Sequence, residues 1–358
     1  MKILFLEPYP TEGPSGRYRV EQYIPYLRDK GIECVVRPFA SSDFYKIIYK
    51  KGSYFKKLVF FTRSCAGRLS DLFYARNCDI VFIHLEAFPL GPPLFEFIVS
   101  ALGKKIIYDL DDAIYMGATS PANSFIKFLK WPSKIKKMIK ISDYVITCNE
   151  YLADYVKPLN KNLTVIHTSV NTSKFLPAAK KQEKRLTIGW IGSHSTAPYL
   201  ENIRNVFVRL GSKYDFDLKI IGASRRNVKI PNVSVINKDW SLEDEIEQFQ
   251  SLDIGVYPLP DNEWVHGKTG FKTIQYMSVG IPCVVSDVGP NKIIVKDGVN
   301  GFLAKDEDDW VEKLSRLIEN ADLRQAIGAA GRETVVSNYS LKVNAPKLLD
   351  VIQRVYGK

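Results

Sequence analysis

Cysteine is scarce and scattered in this 358-residue chain. The five residues, Cys34, Cys65, Cys78, Cys148 and Cys283, include no C-x-x-C. An odd count without short spacings argues against a disulfide framework or a thiolate zinc site, and points to a reducing, cytoplasmic setting. Long hydrophobic runs are missing too. The opening MKILFL stops at Glu7 and Pro8, which reads as a first β-strand rather than a signal peptide. No stretch approaches the roughly 18 uninterrupted apolar residues of a spanning helix. The most apolar region, 80–102, is interrupted by His84, Glu86 and Glu96. Aromatics, in contrast, are plentiful at 12%, beside 46% hydrophobic and 25% charged residues, so the chain is not disordered. At roughly 150 residues per domain, the length suits two domains.

Acidic residues are absent from two segments. Between Phe44 and Ser70 lie Lys46, Lys50, Lys51, Lys56, Lys57, Arg63 and Arg68 with no Asp or Glu, interleaved with aromatics. Between Asn123 and Ile141 lie Lys127, Lys130, Lys134, Lys136, Lys137 and Lys140, again without an acid. These patches carry much of the formal net charge of +11. Basic residues mixed with aromatic rings suit an anionic membrane, here the inner face of the cell membrane. A plain solvated lysine face over an aromatic core is the alternative. No zinc-finger, RRM or KH signature is present, so no nucleic-acid partner is expected.

Strand-like and helix-like segments alternate throughout, the pattern of βαβ units and parallel sheets. The first half gives strands at 2–7, 33–38, 80–84, 105–109, 144–148 and 164–167, with a helix at 18–30 closed by Gly31. A polar, lysine-rich stretch at 172–186 reads as a linker. A second series follows, with strands at 186–191, 217–222, 233–237, 254–257, 282–286 and 301–304. Helices are expected at 198–210, 242–251, 271–279, 306–319, 322–337 and 341–356. The predicted architecture is α/β: two Rossmann-like, doubly wound domains, 1–171 and 187–340, facing a cleft between them. A last helix in 341–358 returns to the first domain.

Ligands of such sheets bind at the carboxyl ends of strands. Four loops there carry chemistry. Residues 11–19 (TEGPSGRYR) follow the first strand: Gly16 allows close backbone approach, and Arg17 and Arg19 suit an anion. Residues 108–112 (YDLDD) place Asp109, Asp111 and Asp112 at a strand end, where they orient a sugar hydroxyl, hold a cation, or cap a helix. Residues 189–196 (GWIGSHST) offer Gly192, Ser193 and His194 at a strand-to-helix turn. The strongest signal runs from Tyr257 through PLPDNEWVHGKTG into the helix that starts at Phe271. Lys268 and Gly270 precede that helix, and Lys272 and Gln275 share its face with Lys268 at steps of four and three. A lysine beside a helix N-terminus is a diphosphate site. Lys268, Lys272 and Asp109 are the candidate catalytic groups.

Residues 275–285 (QYMSVGIPCVV), 297–303 (DGVNGFL), 141–147 with 151–154 (ISDYVIT, YLAD), 165–175, and Gly331–Arg332 with Tyr339–Ser340 occur in one order. Together they resemble glycosyltransferase family 4, whose motifs read E-A-M-A-x-G-x-P-V-V, D-G-x-x-G-x-L, A-D-x-V-i-t…L-A-D, V-I-P-N-G-V-D…F and G-R…Y/F-S. The resemblance implies a GT-B fold and transfer of a sugar from a UDP- or GDP-sugar to a saccharide or lipid-linked acceptor of the cell envelope. It also implies retention of configuration and no obligatory metal. The chain departs from the family's E-x7-E: Gly267 and Gln275 stand at the two glutamate positions, and Ser193, His194 and Thr196 stand where an Arg and a Lys are usual. These departures keep two other readings open, a non-catalytic nucleotide-sugar-binding subunit and a nucleotide-sugar epimerase.

Overall fold

The computed structural model describes residues 1–50, 52–117, 130–178, 185–193, 196–223 and 228–357. The expected His194 contact and the Lys127 end of the second basic patch lie outside these residues. The chain divides into two compact units: Met1–Ser169 with Asn344–Lys358, and Val170–Val343.

In the first unit the elements run β1 (Lys2–Glu7), α1 (Pro14–Arg19), α2 (Ile24–Asp29), β2 (Glu33–Pro38), α3 (Ser42–Ile48), α4 (Tyr54–Ala75), β3 (Ile80–His84), α5 (Leu94–Ala101), β4 (Lys105–Leu110), α6 (Lys134–Ile141), β5 (Tyr144–Thr147), α7 (Glu150–Val156) and β6 (Leu163–Val165). The six strands form one parallel sheet in the order β2-β1-β3-β4-β5-β6. Apart from Lys2 and Lys105 at their first positions, β1, β3 and β4 are buried along their length. Helices on both faces of a parallel sheet require this, so such strands read as continuous rather than alternating apolar runs.

The single helix expected at 18–30 is two helices joined by a 3₁₀ turn at Glu21–Tyr23. Pro25 explains the break: it cannot donate to the preceding turn, but it fits the first turn of a new helix. Gly31, at φ +76°, closes α2, with the Ile32 amide donating to the Leu27 carbonyl at 3.1 Å.

The second unit runs β7 (Leu186–Ile191), α8 (Arg204–Gly211), β8 (Phe216–Ile221), β9 (Ser234–Lys238), α9 (Glu245–Gln250), β10 (Ile254–Tyr257), α10 (Glu263–His266), α11 (Phe271–Ser278), β11 (Cys283–Ser286), α12 (Asn291–Ile294), β12 (Phe302–Ala304), α13 (Glu307–Glu319) and α14 (Ala321–Asn338). Its parallel sheet has the order β12-β11-β10-β7-β8-β9 around a core that includes Trp190, Phe207, Phe216 and Leu314. The expected helix at 198–210 begins as a 3₁₀ segment at Ala197–Ile203 before α8. The start of the expected linker is anchored in this unit. Phe175 is buried, and Arg332 donates to the carbonyls of Thr172 (2.7 Å), Phe175 and Ser278. The final helix, α15 (Leu341–Tyr356), joins the first unit from Asn344 onward, where the Asn344 amide donates to Ser169 Oγ at 2.8 Å.

Candidate functional site

Each sheet has one point where the strand order turns back. In the first it falls between β1 and β3, in the second between β7 and β10. The loops leaving the carboxyl ends of adjacent strands diverge there and leave a crevice. The chemistry-bearing side chains of both units gather at these two points.

In the first unit a hydrogen-bonded chain crosses the turning point. Ser15, in α1 after β1, donates to Asp111 Oδ2 at 2.6 Å and lies 2.7 Å from His84 Nε2 at the end of β3. His84 Nδ1 is 2.7 Å from Asp109 Oδ2, and Arg19 grips both Asp109 oxygens. With the Ser15 hydroxyl turned to Asp111, its oxygen can accept from His84 Nε2–H while Nδ1–H donates to Asp109, an arrangement that suits the imidazolium form. Burial opposes that charge, but Asp111 and Asp109 outweigh it and hold the His84 pKa above its ordinary value. Burial alone would also raise Asp109; Arg19 and His84 hold it below the usual carboxylate range.

The spacing resembles a Ser-His-Asp triad, yet the Ser15 hydroxyl donates to Asp111 rather than to His84. What the cluster presents instead is Asp111. It is 8% exposed; its Oδ1 is buried, lies 3.9 Å from His84 Nε2 and has no hydrogen-bond partner among the described residues. Glu7 completes the floor. Burial first, then the nearby Glu21 carboxylate, pushes its pKa up to about 8. Gly16 serves Glu7 rather than a ligand, since a Cβ there would collide with Glu7 Oε2.

In the second unit the β10 loop leads through α10 to Gly270, whose φ of +64° turns the chain into α11. A Cβ on Gly270 would also press on Ile294. Thr273 donates to Asn291 (2.8 Å) and Asn291 to the Ser286 carbonyl (3.1 Å), fixing the first turn of α11 against the end of β11. Lys268 Nζ sits 5.2 Å from the Trp264 ring centre, and Lys272 Nζ 5.5 Å from that of buried Tyr257. Burial, then Lys268, lowers the Lys272 pKa to about 8. Two ammonium groups held close at a helix entrance fit an anion of high charge density. Gln275, buried, lies 3.4 Å from Glu245 Oε1 on α9. Gly192 accommodates the Trp190 ring, which a Cβ would strike, and Ser193 is exposed at the end of β7.

The sequence-derived candidates thus fall into two groups. Lys268, Gly270, Phe271, Lys272, Gln275 and Tyr257 come together at α11, with Gly192 and Ser193 on the neighbouring loop. Asp109, Asp111 and Arg19 come together in the first unit. Arg19 is buried and donates to Asp109, Thr168 and the Ile166 carbonyl, so its guanidinium is engaged by protein groups. Asp109, 1% exposed, is the inner partner of Arg19 and His84. Arg17 donates to the Thr11 carbonyl, and Asp112 accepts from the Ala113 amide. Among the described residues no cluster of His, Cys, Asp or Glu is arranged to hold a metal ion. His84, Glu7 and Glu245 were not among the candidates. The one hint of His84 in the sequence is a polar residue closing the apolar run IVFIH.

Comparison with known proteins agrees with this architecture. Residues 185–320 match the family Glycosyl transferases group 1. An uncharacterized glycosyltransferase of Methanocaldococcus jannaschii is 30% identical over 152 residues, 40% of each chain. A trehalose synthase of Pyrococcus horikoshii is 28% identical over 88 residues, 25% of this chain and 21% of its own. The chain therefore spans less than half the length of these relatives. Among solved structures, a glycosyltransferase from Rickettsia africae superposes with a TM-score of 0.69 at 17% identity, covering 99% of this chain and 98% of that one. HepE from Anabaena, solved with UDP and glucose, gives 0.70 at 13% identity over 99% and 100%. Residues 185–320 thus form a Glycosyl transferases group 1 domain, and the two parallel sheets have the GT-B fold.

Proposed function

We propose that this protein transfers a sugar from a UDP-sugar to a saccharide or lipid-linked acceptor in cell-envelope polysaccharide synthesis, with retention of anomeric configuration. The observation that carries the reading is the entrance to α11, where Lys268 and Lys272 stand on the two sides of the Gly270 turn that opens the helix in the group 1 domain. Glycosyl transfer departs through an oxocarbenium-like state in which the diphosphate gains charge. Groups aimed at that charge lower the barrier most. The chain's own lysines supply the positive charge here. Of the expected UDP- and GDP-sugars, the UDP-glucose bound to the similarly folded HepE supports UDP. Gln275 and Glu245 serve the sugar or ribose hydroxyls, so a carboxylate from α9 stands near a position where the family usually has its second glutamate. In the first unit, Asp111 positions a hydroxyl and the Ser15–His84–Asp109–Arg19 chain holds Asp111 in place.

Lys268→Ala tests the reading. Turnover with the preferred nucleotide sugar should fall by more than roughly tenfold, with an unchanged melting temperature. An unchanged rate removes Lys268 from the mechanism. A wild-type protein that neither transfers nor hydrolyses any UDP- or GDP-sugar would favour a non-catalytic subunit, and release of an altered free sugar nucleotide an epimerase.

A further inference from the structure

Helix α4 is apolar on two faces. Its inward face packs Phe60, Phe61 and Cys65 against Phe39 and Phe44 beside the buried Lys57, Arg68 and Asp71, while its outward face carries Phe55, Val59, Thr62, Ala66, Leu69 and Phe73. These six positions alternate steps of four and three, so they form one stripe about 27 Å long. Phe55 is 79% exposed and Phe73 69%. Helix α5 packs beside α4 and repeats the pattern: Glu96 is buried, while Leu94 and Ile98 are exposed. Helix α6 packs beside α5, with Lys134 buried and Lys136, Lys137 and Lys140 outward.

The inward charges have partners that hold them. Arg68 donates to the carbonyls of Ala87, Arg37 and Glu7, each at 3.0 Å. Lys134 donates to the Phe88 carbonyl and pairs with Glu86 at 2.7 Å. A sequence that turns these charges inward and leaves phenylalanine and leucine outward presents a contiguous apolar surface. Exposed patches of this kind mark contact sites.

Charge identifies the occupant. The only acids on the three helices are Asp71 and Glu96, and both are buried. Every exposed charge on them, Lys56, Arg63, Lys136, Lys137 and Lys140, is positive. A second copy of the chain would set like charges against like. Nucleic acid would satisfy the lysines but leave Phe55, Leu69 and Phe73 in water. An anionic lipid surface satisfies both, with the rings and leucines at the acyl boundary and the lysines at the headgroups. None of the described helices is long and apolar enough to cross a membrane, so the contact is one of lying on the surface.

We propose that α4, α5 and α6 form a docking face for anionic membranes. The proposal is independent of the catalytic reading, because vesicles without donor or acceptor suffice to test it. The full chain is sedimented with vesicles of phosphatidylcholine alone or with an equal part of phosphatidylglycerol. Binding is expected to the mixed vesicles only, and to weaken as salt rises. Leu69→Ser with Phe73→Ser, and separately Lys136→Glu with Lys137→Glu, should each reduce binding by roughly tenfold or more without altering the melting temperature. Equal binding by folded wild type and variants overturns the proposal. So does a concentration-dependent dimer that the Leu69→Ser/Phe73→Ser pair dissociates, which would make the face a contact between copies.

Discussion

Asp109 and Asp111 are two positions apart and opposite in environment. Asp109 ends between Arg19 and His84, while Asp111 Oδ1 has no hydrogen-bond partner among the described residues and faces His84 Nε2 at 3.9 Å. Asp109→Asn removes the carboxylate that buried Arg19 and His84 share, and such a loss costs about 3 kcal/mol or more. The variant should melt several degrees lower. Asp111→Asn should stay within about 1 kcal/mol of wild type and lose activity instead. Thermal melts alongside initial rates separate the two. Lys272 carries a pH dependence of its own. Its folded pKa, lowered to about 8, means that the ammonium is lost as pH rises through that value, and donor affinity should fall with it. Because the neutral form is favoured in the folded state, the same group makes folding stability rise with pH between about 8 and its unfolded value near 10.4. Lys272→Arg stays charged and should flatten the affinity profile. Titration calorimetry with UDP across that window checks it. The sequence exposed the aspartates and lysines because each sits in a short polar loop after an apolar strand. It hid His84, Glu7 and Glu245, which earn no local signature: their roles arise from neighbours tens of residues away.

Strands were legible at the scale of elements because β1, β3 and β4 are buried on both faces and read as unbroken apolar runs. Helices were harder. The stretch that begins at Tyr18 has helical spacing, but Pro25 splits it into α1 and α2. Helix α4 defeats pattern reading because it is apolar on two faces: Phe60 and Phe61 pack inward beside the buried Lys57 and Arg68, while Phe55, Leu69 and Phe73 stay outward. Substitutions should separate the two faces. Arg68→Met strips hydrogen bonds from the carbonyls of Glu7, Arg37 and Ala87 and leaves Asp71 without its nearest cation, an expected loss of about 3 kcal/mol. Phe73→Ser, on the outer stripe, should change stability by less than about 0.5 kcal/mol. Denaturant unfolding of the two variants measures both; a larger loss for Phe73 than for Arg68 would reverse the assignment of faces.

Taken whole, the molecule repeats one device. Two doubly wound sheets, of orders β2-β1-β3-β4-β5-β6 and β12-β11-β10-β7-β8-β9, each place their functional groups where the strand order turns back. The first unit collects carboxylates around a buried histidine, and the second collects two lysines at a helix start. The proposed division of labour follows from this asymmetry: hydroxyls go to the first unit, the diphosphate to the second. A crystal soaked with UDP addresses it most directly. The account predicts the β-phosphate within hydrogen-bonding distance of the Lys268 or Lys272 ammonium and of the amides that open α11. Phosphates bound anywhere else, with those lysines untouched, would contradict it.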